Sequence, residues 1–373
     1  MKVTIIGPAY PLRGGIAHHV FYLKKELTAR GHAVQVISFR KLYPGLLFPG
    51  KTEFDRSASK LDAQSSAILT SLNPITWTQA FKAVKSFAPD VVVFQWWHPF
   101  FAPLVGTLAR AFRRSGLKCV LECHNVFPHD GMPFARWLLR FAAKPVDSFI
   151  THSDSDRGDL LPFASGKTVG VAPLPVPSSF SGETNQTRSG RNILFFGMVR
   201  KYKGLDVLLR AMPKVLARQG CEDCRLLIAG EFYDSADKYL DLIDHLGLKQ
   251  HVDLDSRYIP NEEIAGIFAG ADVLVLPYLN ATQSAVARIA LANSLPIIAS
   301  RSGGLKEVII ENVNGLLFPV GDSAALAEQL ISYFTNNRGP VFAENLRSSA
   351  KEEPDGVAKQ IEDLAHEVSS TAR

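Results

Sequence analysis

Short runs of β-branched and other apolar residues alternate with stretches of helical period along almost the whole chain. Runs at 3–6, 34–38, 91–94, 119–123 and 148–151 predict strands. Between the first two, residues 17–30 place Val20, Leu23 and Leu27 on one helical face before Gly31 stops the helix. The pattern then starts again. Strands at 192–196, 225–229, 273–276, 296–300 and 315–318 alternate with helices at 205–216, 236–246, 262–268, 284–293 and 324–334. Near-continuous apolar strands separated by helices belong to parallel sheets covered on both faces. Residues 173–191, rich in Pro, Ser and Gly, carry no period and read as a linker. The expected class is therefore α/β, with two doubly wound Rossmann-like domains, 1–173 and 192–340, joined by a linker at 174–191. A final helix over about 356–368 is free to pack back on the first domain. Ligands of such sheets bind beyond the carboxyl ends of the strands, which makes a cleft between the domains the default site.

Composition supports two domains and adds an asymmetry. The 373 residues are 46% apolar and 21% charged, which excludes a disordered or fibrous chain. The net charge of +5 hides a division: residues 1–180 hold 21 Lys and Arg against 11 Asp and Glu, and the remainder hold 20 against 25. A basic first half and an acidic second half suggest different partners. The opening residues read as a buried strand rather than a secretory leader. Polar and Pro residues interrupt the longest apolar stretch, 91–109, so it reads as strand, loop and helix rather than a membrane span. Four cysteines, with one lone C-x-x-C at Cys221 and Cys224, form neither a disulfide framework nor a matched zinc set. Reduced thiols fit a cytoplasmic protein.

Candidate chemistry gathers at strand ends. The first strand runs through Gly7 into P-A-Y-P-L-R-G-G-I-A, where Gly14 and Gly15 allow close backbone approach before a helix N-terminus. The spacing is not G-x-G-x-x-G, which argues against a dinucleotide dehydrogenase; a plain turn is the alternative. The strand at 119–123 delivers His124 and Asn125, suited to a sugar hydroxyl or a leaving group, or a loop histidine without a ligand. In the second half Gly197 follows a strand, and Arg200, Lys201 and Lys203 crowd the turn before the helix at 205. A helix N-terminus disfavours cations, so an anion such as a diphosphate would explain them. Thr282, Gln283 and Ser284 open the helix at 284–293. Gly303, Gly304 and Glu307 follow the next strand.

At these residues the chain resembles the family 4 glycosyltransferases of GT-B architecture. The landmarks are G-G-I-A-H-H-V from Gly14, His124-Asn125, G-M-V-R-K-Y-K-G-L-D from Gly197, A-D-V-L-V-L-P-Y from Ala271 and L-P-I-I-A-S-R-S-G-G-L-K-E-V from Leu295. The resemblance implies retaining transfer of a sugar from a nucleotide-diphosphate donor, UDP- or GDP-linked, with no tightly bound cofactor and no metal. It implies a catalytic group of Arg200, Lys203 and His124. Donor binding would fall to Gly14, Gly15, Gly197, Thr282, Gln283, Ser284, Gly303, Gly304 and Glu307. Two departures stand out. Met198 occupies the family's usual arginine position, with Arg200 as a substitute. Ala281 and Ile289 occupy the positions of its two glutamates. Gln283, Ser284 and backbone amides would then hold the donor.

The basic first domain is expected to face the acceptor, a glycan or a polyprenyl- or other lipid-linked molecule. Arg13, Asn125, Trp96 and Trp97 are the acceptor-side candidates, and basic-aromatic mixtures recur at 40–60, at Arg110, Arg113 and Arg114, and at 132–144. Such mixtures suit anionic headgroups at the inner face of a membrane, or else form a solvated rim. Nucleic acid is not expected. The competing readings are a GT-B-shaped binding protein with impaired catalysis and, last, an epimerase, which would want carboxylates that these loops lack.

Overall fold

The computed structural model describes residues 1–43, 52–128, 131–175, 180, 190–233, 235–349 and 356–370, with side chains through 367 in the last segment. The chain divides into two compact units: Met1–Arg56, Lys60–Pro175 and Pro354–Arg373 form one, and Ser57–Ser59 with Val176–Glu353 form the other. The expected linker lies largely outside the described residues, as do His129, Asp130 and residues 44–51.

The first unit holds β1 (Lys2–Ile6), α1 (Gly15–Ala29), β2 (Ala33–Lys41), β3 (Ser66–Thr70), α2 (Pro74–Phe87), β4 (Val91–Trp96), α3 (Ala102–Arg114), β5 (Lys118–Cys123), α4 (Ala135–Ala143), β6 (Ser148–Thr151), α5 (Asp154–Ala164) and β7 (Val169–Val171). Its strands form one parallel sheet in the order β3-β2-β1-β4-β5-β6-β7. One face is covered by an apolar cluster that includes Phe94, Trp96, Phe112 and Phe149. On the other face Val20, Leu23 and Leu27 of α1 pack with Val3, Ile5, Val91 and Val93. That layer is completed from far along the sequence by Val357, Ala358, Ile361 and Leu364.

The second unit holds β8 (Asn192–Phe196), α6 (Leu205–Leu216), β9 (Arg225–Ala229), α7 (Asp237–His245), β10 (Val252–Asp255), α8 (Asn261–Ala269), β11 (Val273–Leu276), α9 (Ala285–Ala292), β12 (Ile297–Ser300), α10 (Leu305–Val308), β13 (Gly315–Phe318), α11 (Ser323–Thr335) and α12 (Arg338–Ser349). Its parallel sheet runs β10-β9-β8-β11-β12-β13. The chain then returns to the first unit as α13 (Val357–Ser370).

The expected class, two doubly wound parallel-sheet domains, is the one observed. Beyond the strands expected, the structure adds β3, β7 and β10, which lie at the outer edges of the sheets. Edge strands are short and partly solvated, so they lack the continuous apolar signature of central ones. The strand order reverses between β1 and β4 in the first sheet and between β8 and β11 in the second. These switch points are where an open parallel sheet leaves room for a ligand.

Candidate functional site

In the first unit the turn after β1 ends at Gly14, the N-cap of α1, with φ 115° and no side-chain cap. A side chain would be strained there, although nothing lies within 4 Å of where its Cβ would sit. The exposed helix end therefore presents backbone amides to open space, an arrangement that favours anions. One turn along α1, His19 is buried with its Nε2 at 2.6 Å from Oε1 of Glu122 in β5. Parallel pairing sets Gln95 of β4 opposite Glu122. The Gln95 amide nitrogen donates to Glu122 Oε2 at 2.6 Å, while its oxygen lies 2.6 Å from Nε2 of His124.

This chain of contacts assigns a tautomer. A carboxylate accepts only, so the amide oxygen of Gln95 faces His124 and the imidazole Nε2 carries the hydrogen. Burial, reinforced by His152 and His19, holds His124 well below the ordinary histidine pKa. His124 is thus a neutral ring with its Nδ1 lone pair remaining. Burial alone would raise the Glu122 carboxyl, but His19, His124 and His152 around it hold it below the usual carboxylate range. Ligand atoms of His19, Glu122 and His124 all lie within 4.8 Å of one another, which makes them the residues here that could hold a metal.

In the second unit a short 3-10 turn, Lys201–Lys203, separates β8 from α6, and Arg200 caps it. The three cations part company there. Lys201 is exposed. Arg200 places its guanidinium 4.4 Å from the centroid of the Tyr233 ring. Lys203 is buried, and burial together with the nearby Arg200 pulls its pKa down to about 8. Among the described residues no carboxylate lies within ion-pair distance of its ammonium. A Cβ on Gly197 would sit 3.0 Å from Lys203 Nζ and 3.4 Å from Val286 Cγ2. The ammonium and the first turn of α9 thus meet above Gly197. Ser284 caps that helix, its Oγ accepting from the Ala287 amide at 3.2 Å. The same hydroxyl hydrogen-bonds Tyr278, whose ring lies 5.7 Å from Lys203 Nζ.

Other candidates have structural reasons for their identity. A Cβ on Gly303 would lie 1.6 Å from the Ala281 carbonyl oxygen, and one on Gly304 would lie 2.4 Å from Thr282 O and from Gln283 Nε2. These glycines let the turn after β12 close on residues 281–283, fastened by the Gly304 amide to Thr282 O at 2.8 Å. Gln283 Oε1 is buried without a hydrogen bond among the described residues, and Glu307 is exposed on α10. Ala281 and Ile289 are buried apolar positions at 6% and 7% exposure. Arg13 is half-buried and its amide donates to Glu53 O; Asn125 is half-buried beside His124.

The expectation for Trp96 is corrected. It is 0% exposed within the core because every residue of the central strand β4 is buried, so it offers no surface to an acceptor. Trp97 is half-buried and donates to the Tyr43 hydroxyl at 3.1 Å. Sequence reasoning also missed His19, Gln95, Glu122 and His152. A signal existed: Gln95 and Glu122 are polar residues inside otherwise apolar strands.

Residues 13–177 match the family model for glycosyltransferase family 4, and residues 190–336 match the model for glycosyl transferases group 1. One match falls on each unit, and together they support a glycosyltransferase of the family 4 type. A D-inositol 3-phosphate glycosyltransferase of Corynebacterium diphtheriae is 33% identical over 140 residues, covering 36% of this chain and 32% of that protein. An uncharacterised glycosyltransferase of Methanocaldococcus jannaschii is 36% identical over 124 residues, covering 33% of this chain and 30% of that protein. The matched stretch thus spans about a third of these curated relatives. Among solved structures, HepE of Anabaena in complex with UDP-glucose has a TM-score of 0.74 at 16% identity over 99% of this chain and 100% of its own. Sucrose-phosphate synthase of Thermosynechococcus elongatus has a TM-score of 0.72 at 17% identity over 100% and 98%. At these identities the likeness shows the fold, that of the GT-B glycosyltransferases.

Proposed function

We propose that this protein is a retaining glycosyltransferase that moves a sugar from a nucleotide-diphosphate donor to a glycan or lipid-linked acceptor. The observation that carries the reading is the buried Lys203 ammonium, set above Gly197 against the first turn of α9 with no carboxylate at ion-pair distance among the described residues. A lysine held so far from its ordinary pKa wants an anion, and a diphosphate supplies one. The family matches and the UDP-glucose complex of HepE support a sugar nucleotide as that anion.

Breaking the anomeric C–O bond leaves negative charge on the departing β-phosphate. Lys203, Arg200 and the amides of α9 would stabilise it as it develops. The departing phosphate can take the acceptor proton on the same face, so the transfer needs no strong enzymatic base and no metal. His124, neutral and with a fixed tautomer, would orient a sugar hydroxyl. The exposed α1 N-terminus at Gly14 and Gly15 would offer its backbone amides to an anionic group of a substrate. The first unit would receive the acceptor, with peripheral contact to the cytoplasmic face of a membrane through its basic and aromatic surface. A second reading, a binding protein with impaired catalysis, draws on the buried apolar residues at 281 and 289.

Calorimetric titration with UDP, GDP, ADP and dTDP tests the proposal. One nucleotide should bind, and Lys203→Ala should weaken it by tenfold or more and abolish turnover of the matching sugar donor. Binding by none would remove the transferase reading. Binding without turnover of any sugar donor would favour the second.

A further inference from the structure

At the far end of the first sheet from His124, three arginines and a lysine meet around one cavity. Arg110, Arg113 and Arg114 stand at helical spacing near the end of α3, and Lys144 directly follows α4. With Pro145 they line a cavity of about 320 Å³. Among the described residues none of the four lies within ion-pair distance of a carboxylate. Asp147, close by in sequence, is engaged elsewhere, its Oδ2 accepting from the Cys119 amide at 2.8 Å. The cavity lies where β5 and β6 begin, since α3 leads into β5 and α4 into β6. His124 follows the other end of β5, and the six residues of that strand set the two ends roughly 17 Å apart. The cavity is therefore no part of the candidate transfer site. We propose that Arg110, Arg113, Arg114 and Lys144 bind the phosphomonoester headgroup of a membrane lipid. This rests on the peripheral membrane contact proposed above and not on sugar transfer.

Cations at a helix C-terminus complement its dipole, which accounts for Arg113 and Arg114 in the last turn of α3. It does not account for their gathering. Arg110 and Arg114 are a like-charged pair one helical turn apart, an arrangement that destabilises a helix. Burial and then Arg114 hold Arg110 below the usual arginine range. Burial and then Arg113 lower Lys167, whose Nζ donates to the carbonyls of Ala143 and Lys144 at 3.1 and 2.8 Å. Positive charge held together against its own repulsion is relieved by a bound anion. Arg110 is also fixed in place. Its guanidinium carbon lies 3.9 Å from the Phe141 ring centroid, and its nitrogens donate to Gly106 O at 2.7 Å and Phe141 O at 3.1 Å. A Cβ on Gly106 would sit 2.5 Å from the Phe141 ring, so the glycine makes room for that stack. A fork already fixed loses little freedom on binding.

The chemistry of the lining selects the headgroup. Guanidinium forks match phosphate oxygens in pairs. A phosphomonoester offers three unblocked oxygens and a second negative charge, whereas a diester offers fewer of both. Headgroups that carry their own ammonium would meet four cations and be repelled. The volume falls at the small end of ligand sites, which run from about 300 to 1,000 Å³, and suits a compact headgroup. The neighbouring aromatic residues point to a lipid as the bearer. Phe141, on which Arg110 stacks, is itself stacked on Trp137 one helical turn earlier, with centroids 6.2 Å apart and planes at 26°. Trp137 is 63% exposed and Phe134 81%. A continuous stack thus leads from the cavity to bare aromatic surface. Rings that enter the acyl boundary would bring the cavity to the level of the lipid phosphates.

The test floats the full chain with phosphatidylcholine vesicles containing either phosphatidic acid or phosphatidylserine, adjusted to the same zeta potential. Phosphatidic acid should bind several-fold more tightly. Arg114→Gln combined with Lys144→Gln, both at exposed positions, should remove that preference and weaken binding to phosphatidic acid roughly tenfold or more, with Tm unchanged. Arg113→Gln, also exposed, gives a second reading should the double variant melt lower. Lys82→Gln with Lys85→Gln, which removes two exposed cations of α2, should leave the preference intact. Vesicle binding without the preference, or a preference that survives Arg114→Gln with Lys144→Gln, overturns the headgroup site and leaves the membrane contact standing. Absence of binding to either vesicle overturns both. Calorimetric titration with glycerol 3-phosphate separates the sources of the phosphate. Binding of this soluble ester without binding to vesicles would assign the cavity to a free phosphomonoester and overturn the lipid.

Discussion

Lys203 concentrates opposing demands on one ammonium group. Its pKa falls from 10.5 to about 8 on folding, through burial first and Arg200 second. Between those values the unfolded chain binds more protons than the folded one, so the free protein should gain stability as pH rises from about 8 to about 10.5. Below about 8 the cost of the buried charge is present in full. Nucleotide affinity should run the other way, falling as pH rises through the folded pKa and the ammonium is lost. Thermal melts of the free chain and calorimetric titrations over about pH 7 to 10 read both slopes. Lys203→Met should flatten both and stabilise the free chain by at most about 3 kcal/mol. An affinity that climbs with pH would contradict the assignment. Lys203 and Gly197 were legible in the sequence because a cation cluster beside a strand end is a local feature. The group around Glu122 was not. It depends on the parallel register that sets Gln95 beside it and on two histidines from other elements. No spacing rule links positions 19, 95, 122 and 152. Trp96 was misread for a related reason, since a basic-aromatic composition does not say which aromatic residue lies in a fully buried strand.

Among the elements, α4 carries the acceptor-side proposal in its most testable form. Its inward face buries Ala135, Leu139, Ala142 and Ala143. Its outer face exposes Trp137 at 63%, with Phe134 just before it at 81%, beside the exposed Arg136 and Arg140. Large aromatics exposed together with cations suit a headgroup layer, where rings enter the acyl boundary and cations meet lipid phosphates. The chain should pellet with vesicles containing anionic lipid and much less with neutral ones. Trp137→Ser combined with Phe134→Ser should reduce pelleting several-fold without changing nucleotide affinity. Equal pelleting by the double variant would assign those rings to another contact. Among the described residues no helix is long and apolar enough to cross a membrane. The amphipathic α4 was visible in the sequence only as a mixture of residue types, because the split between its faces emerges on packing against α3 and α5.

For the molecule as a whole, α13 decides how the first unit is completed. Val357, Ala358, Ile361 and Leu364 are at most 2% exposed and share a cluster with the central strands and α1. Outside that cluster, Glu362 receives His32 at 2.7 Å and Arg30 at 3.2 Å. At about 1.5–3 kcal/mol for each large side chain buried, removing this helix should cost the first unit several kcal/mol, a large share of a typical domain's stability. Truncation at residue 356 should therefore sensitise the first unit to limited proteolysis while the second stays protected. Equal protection of both would show that the helix adds little. Strand alternation made the two sheets readable from sequence, whereas the destination of α13 was not, since an amphipathic helix does not name the face it covers. The same helix bears on synthesis. A ribosome makes the first sheet early and its covering helix late, with the second unit made between them. The second unit can thus finish folding while the first, begun earlier, still shows an uncovered apolar strip. That interval is when the nascent chain should most need a chaperone.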